Sequence, residues 1–354
     1  MALFTSLPLR DVVLRNRIAV SPMCQYSADD GRANDWHLVH LGARAVGGAG
    51  LVIAEATAVD PRGRISAADL GLWADEQVEP LARVMRFIEA QGAVGGVQLA
   101  HAGRKASTRA PWDAMGAPRA VKDGGFLPAG PSPLAFADGY AIPEELSSAG
   151  IRAVVASFVA AAKRALAAGV RVLEVHAAHG YLLHQFLSPL ANRRQDEFGG
   201  SFANRTRLVC EVVEGVRTAW PARLPLFVRI SATDWVEGGW DLEQSVALAR
   251  LLKERGVDLL DCSSGGLVPQ AKIPAGPGFQ VGFAERVRRE TGLATGAVGL
   301  ITSPEQAEQI VAGGQADLVL LGRELLRDPQ WPLHAAARLK VDVAWPKQYE
   351  RAKG

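Results

Sequence analysis

The feature that most narrows what this chain can fold into is a rhythm. Eight short runs rich in Val, Ile, Leu and Ala recur along 354 residues, each followed by a loop and an amphipathic stretch. They are Ile18–Ser21, Leu51–Ala56, Val94–Leu99, Val172–His176, Leu226–Ile230, Leu259–Ser263, Ala294–Val298 and Leu318–Leu321. Such runs, bounded by glycine and polar residues, predict strands buried on both faces. Helical spacing is clearest after Ser147, where Ile151, Val154, Val155, Phe158, Ala162, Ala165 and Leu166 share one stripe and Gly169 stands where a helix would stop. Further helices are expected at Glu76–Gln91, Asn204–Trp220, Leu242–Arg255, Phe283–Thr291, Pro304–Ala312 and Pro329–Leu339. His37-Leu-Val-His40 lies at the start of another, where both histidines read as structural.

This alternation predicts an α/β fold, a (β/α)8 TIM barrel forming a single domain over residues 1–354. An open doubly wound sheet is the alternative. Against it, no G-x-G-x-x-G follows the first strand and no G-x-x-x-x-G-K-[ST] occurs. Polar residues also recur at the ends of nearly all the strands, and a barrel gathers these into one mouth. Residues 104–148 break the rhythm with Pro111, Pro118, Pro128, Pro131, Pro133, Pro143 and many glycines. An excursion of this length after the third strand is expected to be a lid or cap on the catalytic face. Residues 340–354 form a tail.

Lys+Arg is 39 against Asp+Glu 37, a net charge of +2 that argues against nucleic acid or an anionic membrane as the main partner. Cys24, Cys210 and Cys262 are too few and too scattered for a disulfide framework or a cysteine zinc site, and fit a reducing, cytoplasmic setting. Arg10 and Asp11 interrupt the apolar stretch that starts at Leu3, so no secretory signal is expected. No run approaches the length of a membrane span.

Strand alternation says which polar residues point inward. Leu173 and Val175 should face the helices, leaving Glu174 and His176 toward the barrel axis. Leu226, Val228 and Ile230 leave Arg229 inward, and Val97 and Leu99 leave Gln98 inward. A buried arginine needs a partner: either an ion pair with Glu174, Glu55 or Asp261, or an electron-rich cofactor edge. His176 and His179, three residues apart, could both donate to one developing oxyanion. They could instead join Glu174 in a metal site, or merely cap a helix. Tyr181 is a proton donor or a packing residue. Gly296-Ala297-Val298-Gly299 and Gly322-Arg323 follow the last two strands, where barrels often bind phosphate; turns alone would also use such glycines. Lys105, a conceivable Schiff-base lysine, is expected in a loop with Arg104, outside any apolar pocket.

With these residues placed, the chain resembles the old yellow enzyme family, and within it the thermophilic-like bacterial branch. The resemblance rests on Ser21-Pro22-Met23-Cys24-Gln25-Tyr26, on Gln98 through Lys105, on His176-Ala-Ala-His179-Gly-Tyr181-Leu182, and on Phe198-Gly-Gly-Ser201 with Asn204-Arg205. Phe227-Val-Arg229-Ile-Ser231 and Gly322-Arg323-Glu-Leu325 complete it, and it covers about Leu3 to Arg351. It implies non-covalent FMN, NADPH or NADH as reductant, and reduction of activated C=C bonds in α,β-unsaturated carbonyl compounds by hydride transfer through flavin N5. By the same resemblance, Ser21, Pro22, Met23, Cys24, Ala56, Gln98 and Arg229 meet the flavin ring, and Gly299, Gly322 and Arg323 its phosphate. Tyr26, His176, His179 and Tyr181 form the substrate side, Tyr181 protonates the substrate, and Cys24 tunes the flavin. Arg351 reaches the site of a neighbouring subunit in a homodimer or homotetramer. No metal is implied. A dienoyl-CoA-reductase-type barrel would need further domains and cysteine ligands for an iron–sulfur cluster, and a non-catalytic flavin binder would not need the substrate-side residues.

Overall fold

A computed structural model describes residues 1–353. An antiparallel hairpin of β1 (Leu7–Leu9) and β2 (Val12–Leu14) comes first. Then follow β3 (Ile18–Val20), α1 (Asp35–Val46), β4 (Leu51–Ala58), α2 (Val78–Ala90) and β5 (Val94–Ala100). Two-residue strands β6 (Ala129–Gly130) and β7 (Glu144–Glu145) lie within the excursion. The chain continues through α3 (Ser148–Ala167), β8 (Val172–Ala177), α4 (Leu182–Leu187), α5 (Phe202–Ala219), β9 (Leu226–Ser231), α6 (Leu242–Glu254) and β10 (Leu259–Ser263). It closes with α7 (Val281–Thr291), β11 (Ala294–Ala297), α8 (Pro304–Ala312), β12 (Leu318–Leu321), α9 (Arg323–Arg327) and α10 (Trp331–Arg338).

Eight parallel strands close into a barrel in the order β10-β11-β12-β3-β4-β5-β8-β9, the expected (β/α)8 arrangement and not an open sheet. All eight expected strands are present. Strand burial is nearly continuous, because the barrel lumen covers one face and the helices the other. The helices start where short polar side chains satisfy free N–H groups: Ser147 for α3, Ser201 for α5, Asp241 for α6, and Ser303 with Pro304 at the first position for α8. On α3, Ile151, Val154, Phe158, Ala162 and Ala165 are buried as expected, while Val155 and Leu166 at the edge of the stripe are half-buried.

The hairpin β1–β2 buries Leu7, Leu9, Val12 and Leu14 under the N-terminal end of the barrel. It is tied there by Arg10, which bonds Asp258, Ala222 O and Gly256 O. The excursion folds over the opposite end. Arg104 donates to Leu267 O at 2.8 Å, beyond β10, and also reaches Leu134 O and Ala135 O at 3.4 Å. Residues 134–136 are thereby held over the C-terminal mouth. Ser132 and Pro131 are tied in turn to Arg193 and Arg194. Among the described residues, no helix is long and apolar enough to cross a membrane.

Candidate active site

The deepest layer of the mouth is a buried polar cluster built from inward positions of neighbouring strands. Arg229 of β9 lies beside Asp261 of β10, with Nε 3.1 Å from Oδ2, and its Nη1 donates to Ser21 Oγ at 3.0 Å. Gln98 of β5 donates to Glu174 Oε1 of β8 at 2.7 Å. All five side chains are buried. Of the ion-pair partners open to Arg229, the fold selects Asp261. Burial pushes both carboxyl groups up, and Asp261 raises Glu174 further, while Arg229 opposes both shifts. Glu174 Oε2 has no hydrogen-bond partner within the chain, whereas Arg229 Nε faces Asp261. Polar capacity is therefore left over at this depth, and such groups are usually satisfied in native proteins.

Above this layer stand three aromatic side chains, His176 near the end of β8 and His179 and Tyr181 from the loop after it. The His176 ring lies 5.1 Å from that of His179 at 86°, and 5.1 Å from that of Tyr181 at 84°. His176 Nδ1 accepts the Ala178 N–H at 3.3 Å, so a neutral ring carries its proton on Nε2. His179 Nε2 lies 2.7 Å from Ser263 Oγ, and the His179 N–H donates to Ser231 Oγ at 2.9 Å. Burial first, and then the charge of Arg229, push both imidazoles well below their ordinary value, so both are neutral near pH 7. Burial likewise pushes the Tyr181 phenol up, so it keeps its proton. The turn is tight: His179 has φ 57°, Gly180 has φ 73°, and a Cβ on Gly180 would meet Gly266 O at 2.1 Å. Only glycine lets these two loop backbones lie so close.

Lys105 corrects the sequence reading. Its ammonium donates to His179 O at 2.9 Å and Gly266 O at 3.0 Å, and sits over the rings of Phe136 (4.7 Å) and Tyr181 (5.2 Å). Burial, then Arg104, bring it down to about 8. It is a strut of the site, pinned between two loops and covered by the excursion. No signal in the sequence placed it there, because both carbonyl partners lie more than 70 residues away.

The facing wall is Ser21 to Tyr26. Its backbone is held by Glu55, whose Oε2 accepts the Gln25 N–H at 2.9 Å and whose Oε1 lies 3.2 Å from His37 Nε2. Glu55 can do this because it is the extra residue of a bulge: Ala54 pairs with Val97 and Ala56 with Gln98. A bulge re-aims a side chain. His37 thus has the structural role expected of it, although its partner was not legible. The Cys24 thiol is pushed well above its ordinary value by burial and by Asp69 and Glu55, and it is a neutral thiol, not a nucleophilic thiolate. Tyr26 adopts φ 49°, and the ring of Trp112, from the excursion, meets it edge-on at 5.7 Å.

At the far side of the mouth lies a cleft of about 240 Å³ lined by Ser263, Gln280, Gly299, Gly322 and Arg323 among others. Gly299 has φ 121°. A Cβ there would come within 2.9 Å of Gln280 Nε2, narrowing the cleft. The glycine-lined loops expected at the last two strands therefore do meet. Arg351 is apart from all of this. It lies in the exposed turn Lys347–Ala352, whose Tyr349 lines a groove together with Val39 and Phe87 of its own barrel. Among the described residues, no group of three or more His, Cys, Asp or Glu side chains forms a metal-binding cluster. Sequence reasoning gave no site role to Ser231 or Ser263, and it weighed Lys105 only as a Schiff-base lysine and Glu55 only as a partner of Arg229.

Comparison with known proteins gives the family. The family model described as "NADH:flavin oxidoreductase / NADH oxidase family" matches residues 2–342. The chain is 48% identical over 351 residues to an NADPH dehydrogenase of Geobacillus sp. (strain WCH70), covering 99% of this chain and 98% of that one. It is 46% identical over 351 residues to an NADPH dehydrogenase of Bacillus subtilis (strain 168), with the same coverage. Among solved structures it is similar to morphinone reductase, with a TM-score of 0.79 and 28% identity over 98% of this chain and 91% of that one. The chain belongs to the NADH:flavin oxidoreductase / NADH oxidase family, the old yellow enzyme family, and is an FMN-dependent oxidoreductase of the NADPH dehydrogenase type.

Proposed function

We propose that this enzyme uses NADPH or NADH to reduce the activated C=C bond of α,β-unsaturated carbonyl compounds, with reductant and alkene occupying the same place in turn. FMN, when bound, supplies a store that accepts a hydride from nicotinamide and releases it to an alkene carbon. The residues present fit it without a covalent bond. The unpaired Glu174 Oε2 and the buried Arg229 guanidinium can meet its ring edge, together with Gln98, Ala56 and the Ser21-Pro22-Met23-Cys24 wall. Gly299, Gly322 and Arg323 line a cleft suited to its phosphate.

The observation that carries this reading is the grouping of the His176 ring with those of His179 and Tyr181, each 5.1 Å away. His176 presents Nε2–H because Ala178 occupies Nδ1. If Ser263 donates to His179 Nε2, the proton of His179 is on Nδ1. Both rings then donate to one carbonyl oxygen and favour the charge that grows there as the β-carbon is attacked. Tyr181 gives its proton to the α-carbon, and Tyr26 lines the substrate side. The direct check is cyclohex-2-enone turnover by purified enzyme with NADPH. Cyclohexanone is the expected product; cyclohexenol, or no enone-dependent oxidation of NADPH, contradicts the reading.

The thiol of Cys24 tunes the cofactor's potential as a weak hydrogen-bond donor. Cys24→Ser should keep FMN, shift its potential and change both half-reactions by about threefold, the effect of roughly half a kcal/mol in one weak hydrogen bond. Complete loss of activity with FMN still bound would show an essential covalent role instead.

An assembly is also part of this proposal. Arg351 completes the site of a neighbouring subunit in a homodimer or homotetramer, its planar guanidinium suited to substrate or nucleotide. Arg351 is exposed in the turn Lys347–Ala352. Truncation after Pro346 should weaken assembly and alter the Michaelis constant for enone or nucleotide while FMN stays bound. Unchanged mass in solution and unchanged kinetics would make the segment a passive tail. Three free cysteines suit a cytoplasmic location.

A further inference from the structure

The His179-Gly180 turn is held from behind by two consecutive residues of α4. His184 Nδ1 accepts the Gly180 N–H at 2.9 Å, and Gln185 Nε2 donates to Gly180 O at 2.8 Å. The first contact grips the peptide that joins Gly180 to His179, and the second grips the peptide that joins it to Tyr181. His184 and Gln185 are fully buried. The orientation of the imidazole is set in turn by Asp234, whose Oδ1 lies 2.9 Å from His184 Nε2. Asp234 Oδ2 is already taken by the Ser188 hydroxyl at 2.6 Å and the Trp240 N–H at 2.7 Å. With Nδ1 accepting and Nε2 facing a carboxylate, the neutral ring carries its proton on Nε2. His179 also holds φ 57°, a conformation that a non-glycine residue keeps only when its surroundings enforce it.

We propose that His184, oriented by Asp234, is a positioning residue that fixes the His179–Gly180 peptide and so sets the spacing between His179 and Tyr181. This rests on the proposed roles of those two residues. His184 touches no substrate; it acts through the backbone.

Two variants separate this role from simple core packing. An asparagine at 184 places its amide oxygen near the position of Nδ1 and can still accept from Gly180. A glutamine reaches toward Asp234 but leaves Gly180 without its acceptor. His184→Gln should retain FMN, bind phenol about tenfold more weakly, judged by the long-wavelength charge-transfer band, and reoxidise with enone about tenfold more slowly, in keeping with the cost of a small misplacement at the site. His184→Asn should stay within about twofold of the parent, since it keeps the contact. Undiminished phenol binding and reoxidation in His184→Gln, or equal or greater damage in His184→Asn, would overturn the proposal. Should either variant fail to fold, ¹⁵N-histidine NMR of the unmodified holoenzyme decides: a bare Nδ1 and protonated Nε2 at His184 support it, and a protonated Nδ1 overturns it. Parent enzyme that binds no phenol strikes the underlying reading, and this inference falls with it. Parent enzyme that binds phenol alongside an unaffected His184→Gln strikes this inference alone.

Discussion

Replacing His176 and His179 together with alanine abolishes tight phenol binding and lowers enone turnover by about 10³-fold or more, with FMN still bound. Removing one preorganised oxyanion donor typically costs about 10²–10³-fold, and paired donors are not additive. Phenolate mimics the charge on the enolate oxygen, so its affinity reports the donors separately from hydride transfer. FMN should remain because its proposed ring and phosphate contacts, Arg229, Gln98, Gly299 and Arg323, lie on other strands and loops. The parent enzyme should show no inflection from these histidines near pH 6.5, because burial and Arg229 push both well below that value. A double variant that keeps the charge-transfer band at unchanged affinity shows the oxyanion assignment to be wrong.

Tyr181→Phe lowers the rate of reoxidation by enone about 10²-fold or more while leaving reduction by NADPH within about threefold, a split that follows from the usual 10²–10⁴-fold worth of a positioned acid. The phenol is needed only where the α-carbon gains a proton. Burial holds it in its protonated form, so the parent rate should not fall with rising pH through ionisation of Tyr181 below its ordinary range near 10. Stopped-flow measurement of the two half-reactions makes the test. Equal slowing of both would assign Tyr181 to packing, since its ring also meets His176 and Lys105.

How much of this was legible depends on how local each signal is. Strand residues such as Leu226, Val228 and Ile230 declare their outward face by alternation, and so place Arg229 inward without any tertiary information. The partner of Arg229 is Asp261, one strand over, and the sequence could only name it among three carboxylates. The hairpin β1–β2 escaped notice because strands of three residues carry almost no period. The six residues of α4 are buried on every side, so no amphipathic stripe marks them. The bulge at Glu55 reads as an ordinary strand residue until its pairing is seen. Ser263 lies 84 residues from His179, and Trp112 stands against Tyr26 only because the excursion folds back over the mouth. Short-range patterns revealed which residues turn inward; chain-distant partners fixed most of their charges and spacing.

The central claim is that electrons pass from a nicotinamide to an activated alkene at this site. Anaerobic titration of the purified holoenzyme tests it most directly. The visible flavin absorption should bleach with NADPH and return on adding cyclohex-2-enone, with saturated ketone formed in an amount equal to the NADPH consumed. Flavin that NADPH cannot bleach, or bleached flavin that enone leaves reduced in the absence of oxygen, would contradict it.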